Sequence, residues 1–144
     1  MFSKACQYGI KACTYIALQS LQKRRVNIKD IAKEINSPEA FTAKILQKLA
    51  KNNIVNSVKG PSGGFFIERE NIEKIRLGDI VFSIDGDSLY NGCGLGLAQC
   101  NSEKPCPMHD KFVHIRGHLK TMLQDTNLHE LASGIDVGAT FLKN

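Results

Sequence analysis

No apolar run in these 144 residues approaches the roughly 18 residues of a membrane span. Internal repeats and low-complexity tracts are also missing. The opening residues, Met1 to Lys11, have neither the long apolar core nor the small-residue cleavage site of a secretory signal. Nor is there a nucleotide-binding glycine loop, a paired-carboxylate constellation or an oxyanion-hole signature. These absences set aside a membrane protein and the common enzyme classes, and predict a cytoplasmic globular chain long enough to bury a core. Acidic residues are scarce in one half: residues 1–76 hold 14 Lys/Arg and 6 Asp/Glu, whereas residues 77–144 hold 5 and 8. A basic half joined to a mildly acidic one suits a nucleic-acid-binding module with a regulatory portion, and equally an ordinary solvated surface.

What is present in quantity is cysteine, and its placement is uneven. Three of the five lie in Cys93-Gly-Leu-Gly-Leu-Ala-Gln-Cys100-Asn-Ser-Glu-Lys-Pro-Cys106-Pro-Met-His109. In a cytoplasmic chain, clustered cysteines bind metal or act in redox more often than they form structural disulfides. Thiolates this close in a Gly- and Pro-rich loop, with His109 three residues beyond Cys106, point to a soft-metal site. A catalytic cysteine wants a histidine base and a third orienting group, and Cys106 with His109 could be cast that way, but no oxyanion-hole signature accompanies them. Cys6 and Cys13, seven apart on one helical face, read as small buried core residues.

Periodicity places the remaining elements. Residues 5–22 read as a helix, with Tyr8, Cys13 and Ile16 at helical spacing. Asn27 is a good N-cap for a short helix carrying Ile28, Ile31, Ala32 and Ile35 on one stripe. Ser37 as N-cap and Pro38 at the first helical position start a helix over 38–51, with Phe41, Ile45, Leu46 and Leu49 inward. Two helices joined by so short a turn form a helix-turn-helix. Ile54 to Val58 alternates like a strand, Lys59-Gly60-Pro61-Ser62-Gly63-Gly64 is a turn-rich tip, and Phe65 to Ile67 returns. A hairpin in that place is a wing, with Lys59 among small residues that permit close approach to a phosphate-lined groove. A short apolar helix follows over 76–84, ended by Asp85-Gly86-Asp87. The pattern turns helical again from Met108 to Gln124, with Phe112, Ile115, Leu119 and Met122 on one stripe. That helix is long enough to pair with a copy of itself, or else packs on the first helix. Asn127 and Glu130 resemble a capping pair for a last helix, 128–132, and residues 134–144 read as frayed.

With these motifs in view, the chain resembles the IscR/NsrR family of bacterial winged-helix iron–sulfur transcription regulators. The resemblance covers nearly the whole chain and is most specific in Val58-Lys59-Gly60-Pro61-Ser62-Gly63-Gly64-Phe65, in Leu77-Gly78-Asp79-Ile80 and in the cysteine loop. Lys59, Ser62 and Phe65 stand where the family usually has arginine, glycine and tyrosine, and lysine lacks the planar fork of arginine. The fold expected is mostly α with a small β-hairpin wing. It divides into a winged helix-turn-helix over 1–85, a cluster-binding loop over 86–109, a dimerisation helix over 108–125, and a short C-terminal helix and tail over 126–144.

The resemblance implies a homodimer on double-stranded DNA at a two-fold-symmetric operator, the recognition helix in the major groove and the wing in the minor groove. Candidate contacts are Ser37, Glu39, Ala40, Thr42, Ala43 and Lys44 on the helix, and Lys59, Gly60, Ser62 and Gly63 on the wing. Phe112, Ile115, Leu119 and Met122 are the dimer candidates. Family members holding a [2Fe-2S] cluster use three cysteines and a histidine, here Cys93, Cys100, Cys106 and His109, with one residue more than usual in the first gap. A [4Fe-4S] cluster would take a fourth ligand from the partner's first helix. The nitric-oxide-sensing branch has an aspartate there, and Gln7 stands in its place, which favours His109 and the smaller cluster. Zinc in a Cys3His site and a bare thiol switch joining Cys100 and Cys106 are the alternatives. The function implied is transcriptional control, not catalysis, with operator binding set by cluster state through oxidation, iron supply or nitric oxide.

Overall fold

Helix α1 (Lys4–Leu21) is the spine of the fold. Ser3 caps its N-terminus, its hydroxyl accepting from the Cys6 amide at 3.0 Å. Ala12, Cys13, Ile16 and Ala17 are completely buried along one side of it, and against them pack the helices that follow. A computed structural model describes all 144 residues.

Helix α2 (Ile28–Glu34) begins at Asn27, whose side-chain oxygen accepts from the Asp30 amide at 2.8 Å, as the sequence predicts. It ends where Asn36 takes a left-handed conformation, φ 53°, which asparagine tolerates. The Ser37 amide then reaches back to the Ala32 carbonyl at 2.9 Å. This tight stop turns the chain sharply into α3 (Glu39–Lys51). The expected start of α3 needs correction. Pro38, at φ −60° and ψ 135°, stands outside the helix as its N-cap residue, and Ser37 makes no capping bond to the backbone. Instead the Ser37 hydroxyl pairs with that of Thr42, which also donates to the Pro38 carbonyl at 2.8 Å.

The wing is a two-stranded antiparallel hairpin, β1 (Asn56–Val58) and β2 (Gly64–Phe66), with Ser57 opposite Phe65. Its strands are shorter than the alternation predicts, because Ile54, Val55 and Ile67 leave the ladder to enter the core. On the other edge of β2, Val26 forms a single bridge, exchanging amide and carbonyl with Phe65 at 3.1 and 2.7 Å.

Two helices escaped the sequence reading: α4 (Arg69–Lys74), anchored by the buried Ile72, and the single turn α6 (Ser88–Asn91). Both are too short for a 3.6-residue pattern to register. Between them, α5 (Leu77–Asp85) ends at Gly86, whose φ of 71° suits glycine. The last helices are α7 (His109–Asp125) and α8 (Leu128–Asp136). Asn127 caps α8 by accepting from the Glu130 amide at 2.8 Å, as predicted. The expected fraying from residue 134 is corrected: α8 runs to Asp136, and its Leu128 and Ala132 belong to the main core beside α1. So the C-terminal helix is packed into the winged body and is not an appendage to it.

Only one α7 side chain, Leu123, is buried. With Cys6, Leu77 and Val81 it forms a second small core that fastens the end of α7 to α1 and α5. Burying a leucine contributes roughly 1.5–3 kcal/mol. Two backbone bonds reinforce the junction, from Leu77 to Thr126 at 2.8 Å and from Leu128 to Ile75 at 2.9 Å. Further along, α7 packs against α6 and the loop that joins them.

Candidate metal centre and nucleic-acid interface

The two surfaces that the sequence assigns to DNA lie on consecutive elements. On α3, Glu39, Ala40 and Lys44 are exposed, while Ser37 and Ala43 are half-buried. Thr42 was expected among the exposed residues and is instead 1% exposed. It precedes Ile45, Leu46 and Leu49 by three, four and seven residues, so it sits on their inward stripe. Its hydroxyl is satisfied locally by Ser37 and Pro38. Phe41 meets Tyr8 edge-on at 5.6 Å between ring centroids, consistent with its core assignment. On the wing, Lys59, Gly60 and Ser62 are exposed and Gly63 is partly so. Gly60 and Gly64 hold φ of 106° and 139°, conformations a side chain would strain, and the Gly63 amide closes the tip on the Gly60 carbonyl at 3.0 Å.

The cysteine loop leaves α6 at Gly92 and ends where α7 begins at His109. Not one residue from 92 to 108 is buried, so polar contacts and not apolar packing set its shape. The four donors expected around one centre stand as two pairs. Cys100 Sγ lies 3.5 Å from His109 Nδ1. The Cys93 sulfur is met by the backbone amides of Leu97 and Leu95, then by the Cys106 side chain and the Gly96 amide. Those donors hold its thiol below the ordinary cysteine range against the opposing effect of desolvation. No three Cys, His, Asp or Glu side chains converge on a single point. Cys106 neighbours Cys93, whereas Cys100, its expected partner in a thiol switch, is engaged by His109.

The residue the sequence reading missed is Arg116. Its Nη2 donates to Cys100 Sγ at 2.9 Å, and its Nη1 donates to the Gly92 carbonyl. Nε is buried without an acceptor. One guanidinium on α7 thereby holds the loop at the residue before Cys93 and at Cys100. A signal existed, because Arg116 follows His109 by seven residues and so shares its face of α7.

The dimer candidates divide. Phe112 turns inward and lies flat against Gly94, where an added Cβ would come within 2.4 Å of the ring. Leu119 packs against the small core at the foot of α7. Ile115 and Met122, at 58% and 40% exposed, face out together with Met108 at 40%. These three recur every seven residues, a spacing that makes one continuous apolar seam. Gln7 is exposed, its amide donating to the Phe2 carbonyl at 3.1 Å. Cys6 and Cys13 are completely buried, as predicted. Burial and the nearby Asp85 push the Cys6 thiol up from 9.0 to about 12, and burial pushes Cys13 up as well. No helix is long and apolar enough to cross a membrane.

The sequence model of one protein family, described as Rrf2, iron-dependent transcriptional regulator, matches residues 2–134. An HTH-type transcriptional regulator of Aquifex aeolicus is 33% identical over 134 residues, spanning 91% of this chain and 90% of that protein. The HTH-type transcriptional regulator IscR of Vibrio atlanticus is 28% identical over 131 residues, 91% of this chain and 74% of its own. Among solved structures, CymR, the global cysteine regulator of B. subtilis, superposes with a TM-score of 0.74 at 21% identity over 92% of this chain and 96% of its own. That likeness establishes the winged-helix fold.

Proposed function

The chain belongs to the Rrf2 family of iron-dependent transcriptional regulators, and on that premise we propose that it is a homodimeric regulator whose hold on DNA is set by an iron–sulfur cluster. That it is a transcriptional regulator and not an enzyme follows from the family and its relatives. The finer reading rests on one observation above the others: a loop with four soft donors in two pairs, clasped by an arginine that retains an unused buried N–H.

The donor set fits a [2Fe-2S] cluster. Such a cluster takes two protein ligands on each of two irons, and two pairs of donors suit that demand. A structural zinc ion requires four donors tetrahedrally about one point, which this arrangement supports less well. Cys93 and Cys106 would hold one iron, and Cys100 and His109 the other. When bound, the cluster supplies a one-electron redox centre that is sensitive to oxidants, nitric oxide and iron supply. The protein's part is to orient and to transmit. The amides of Leu97, Leu95 and Gly96 favour the Cys93 thiolate that a metal needs. Arg116 carries a positive charge to Cys100, and its free Nε–H offers a donor for another sulfur. Because Arg116 sits beside the outward-facing Ile115, a change in the loop acts on the seam that would join two copies.

Major-groove contact would fall to Glu39, Ala40, Ala43 and Lys44, with Ser37 at the edge and Thr42 removed by burial. The minor groove would take Lys59, Gly60, Ser62 and Gly63. Met108, Ile115 and Met122 are the residues best placed to meet a partner subunit. Anaerobic purification with an absorption spectrum and iron, sulfide and zinc analysis tests the cofactor. A coloured protein with two irons and two sulfides per chain is expected. Colourless protein with stoichiometric zinc would sink the cluster.

A specific observation supports a second reading, a thiol switch. Cys93, with its lowered thiol, has Cys106 beside it as a resolving partner, so oxidation would join those two and leave Cys100 with His109. Peptide mapping of the oxidised apo protein distinguishes them: this reading requires a Cys93–Cys106 disulfide and lost DNA affinity without any metal present.

A further inference from the structure

The cations Lys23, Arg24 and Arg25 lie between α1 and α2, outside both surfaces assigned to DNA above. A single bridge holds this segment against the wing: Val26 pairs with Phe65 in antiparallel sense, which sets Arg25 beside Phe66 and directs Asn27 toward the tip. The turn into this segment places Lys23 in a left-handed conformation, φ 60°. Arg25 is not free to wander: its guanidinium stands over the Phe66 ring, 5.1 Å from the centroid. A cation parked on an aromatic face loses less side-chain freedom when it meets an anion.

Between this segment and the wing tip lies an open cleft of about 560 Å³. Lys23, Arg25 and Asn27 line one side, and Pro61, Ser62 and Gly63 line the other. The lining thus offers two cations, an amide and a hydroxyl, and no carboxylate. Two positive charges and neutral donors, in a shallow polar trough open along its length, match a phosphodiester and not a compact apolar ligand.

We propose that this cleft is a DNA-backbone subsite, in which Lys23 and Arg25 hold a phosphate flanking the groove entered by the wing. The inference rests on the reading that the wing meets DNA, and adds a contact that neither α3 nor Lys59 makes. It assigns the wing a second function. Ser62 and Gly63 form one wall of a backbone clamp while Lys59 faces the groove. The contact carries no sequence information, so it strengthens specific and non-specific binding alike.

The test is the salt dependence of binding to an operator duplex and to a scrambled duplex of equal length, for wild type, Lys23→Gln, Arg25→Gln, the double variant and Lys59→Gln. Each phosphate contact contributes about 0.9 to the slope of log affinity against log salt. With one such phosphate on each protomer of a dimer, the double variant is expected to lower the slope by roughly two, with equal fold-loss on both duplexes and with the fold retained by circular dichroism. Arg25→Lys should keep most of the slope, since it retains the charge.

An unchanged slope in the double variant, with a lower one in Lys59→Gln, overturns the clamp and leaves the DNA reading standing. Absence of binding to either duplex by the wild type, in any redox state, overturns both. Inorganic phosphate is the probe for a free-anion site. At constant ionic strength it should not compete with DNA. Saturable competition that disappears in Arg25→Gln would reassign the cleft to a small anion and overturn the duplex assignment.

Discussion

The winged body and the cysteine loop are held together by different physics. In the body, side chains such as Ile16, Leu46 and Ile72 are wholly buried, and helix starts are tied by side-chain caps at Ser3, Asn27 and Asn127. In the loop from Gly92 to Met108 nothing is buried, and the shape depends on amides aimed at Cys93, on Arg116, and on one ring laid over Gly94. The body's stability is therefore expected to be insensitive to metal, and the loop's conformation to respond to the chemical state of a few sulfur atoms. A regulator benefits from that division. On the proposed reading, the winged body would stay folded while the weakly held segment beside it changed state at low energetic cost.

Leu46→Ala removes a fully buried side chain of the main core and is expected to cost about 2–5 kcal/mol. Urea unfolding followed by circular dichroism should show that loss equally with and without metal. A cost that vanished on metal loading would mean that body and loop are one cooperative unit. Arg116→Gln probes the other side. It removes a charged hydrogen bond of the kind that contributes about 1.5–3 kcal/mol, and only the loop should feel it. Amide exchange over residues 92–100 is expected to quicken by roughly tenfold or more, with exchange in α1 unchanged.

The smallest effect separates the two kinds of cysteine. At neutral pH iodoacetamide should modify Cys93 first in the metal-free protein and leave Cys6 and Cys13 untouched, read by peptide mass spectrometry. The raised Cys6 thiol has a consequence for stability as well. Its folded value lies above its unfolded one, so the folded chain keeps a proton that the unfolded chain releases above about pH 9. The body's unfolding temperature should hold steady below pH 9 and fall between pH 9 and 12, and Cys6→Ala should reduce that fall.

The same division explains what was legible in the sequence. The body writes itself in periodicity and caps: the stripe Ile45, Leu46 and Leu49, the caps Asn27 and Asn127, and the buried Cys6 and Cys13 could all be read without coordinates. Errors there were local, as with Thr42, whose place on the inward stripe was masked by its polar side chain. Short helices such as α4 and α6 hold too few turns to show a period. In the loop, the sequence supplied the donors but not their pairing. Whether Cys106 meets Cys93 or Cys100 depends on backbone turns such as Gly96, at φ 76°, and on an arginine sixteen residues from the sulfur it contacts. Long-range polar contacts of that kind leave no periodic trace. The seam on α7 was half legible, because the stripe of Phe112, Ile115, Leu119 and Met122 joins residues that face the body to residues that face away.

The central claim is that the loop's state is felt at the DNA surface. Its most direct test is the affinity of one anaerobic preparation for one duplex, measured before and after removal of the bound cluster at fixed salt. A change of at least about fivefold is expected, the lower end of ordinary coupling between sites, and a smaller change in Arg116→Gln. Equal affinity in the two states, with the protein folded and dimeric in both, would contradict it.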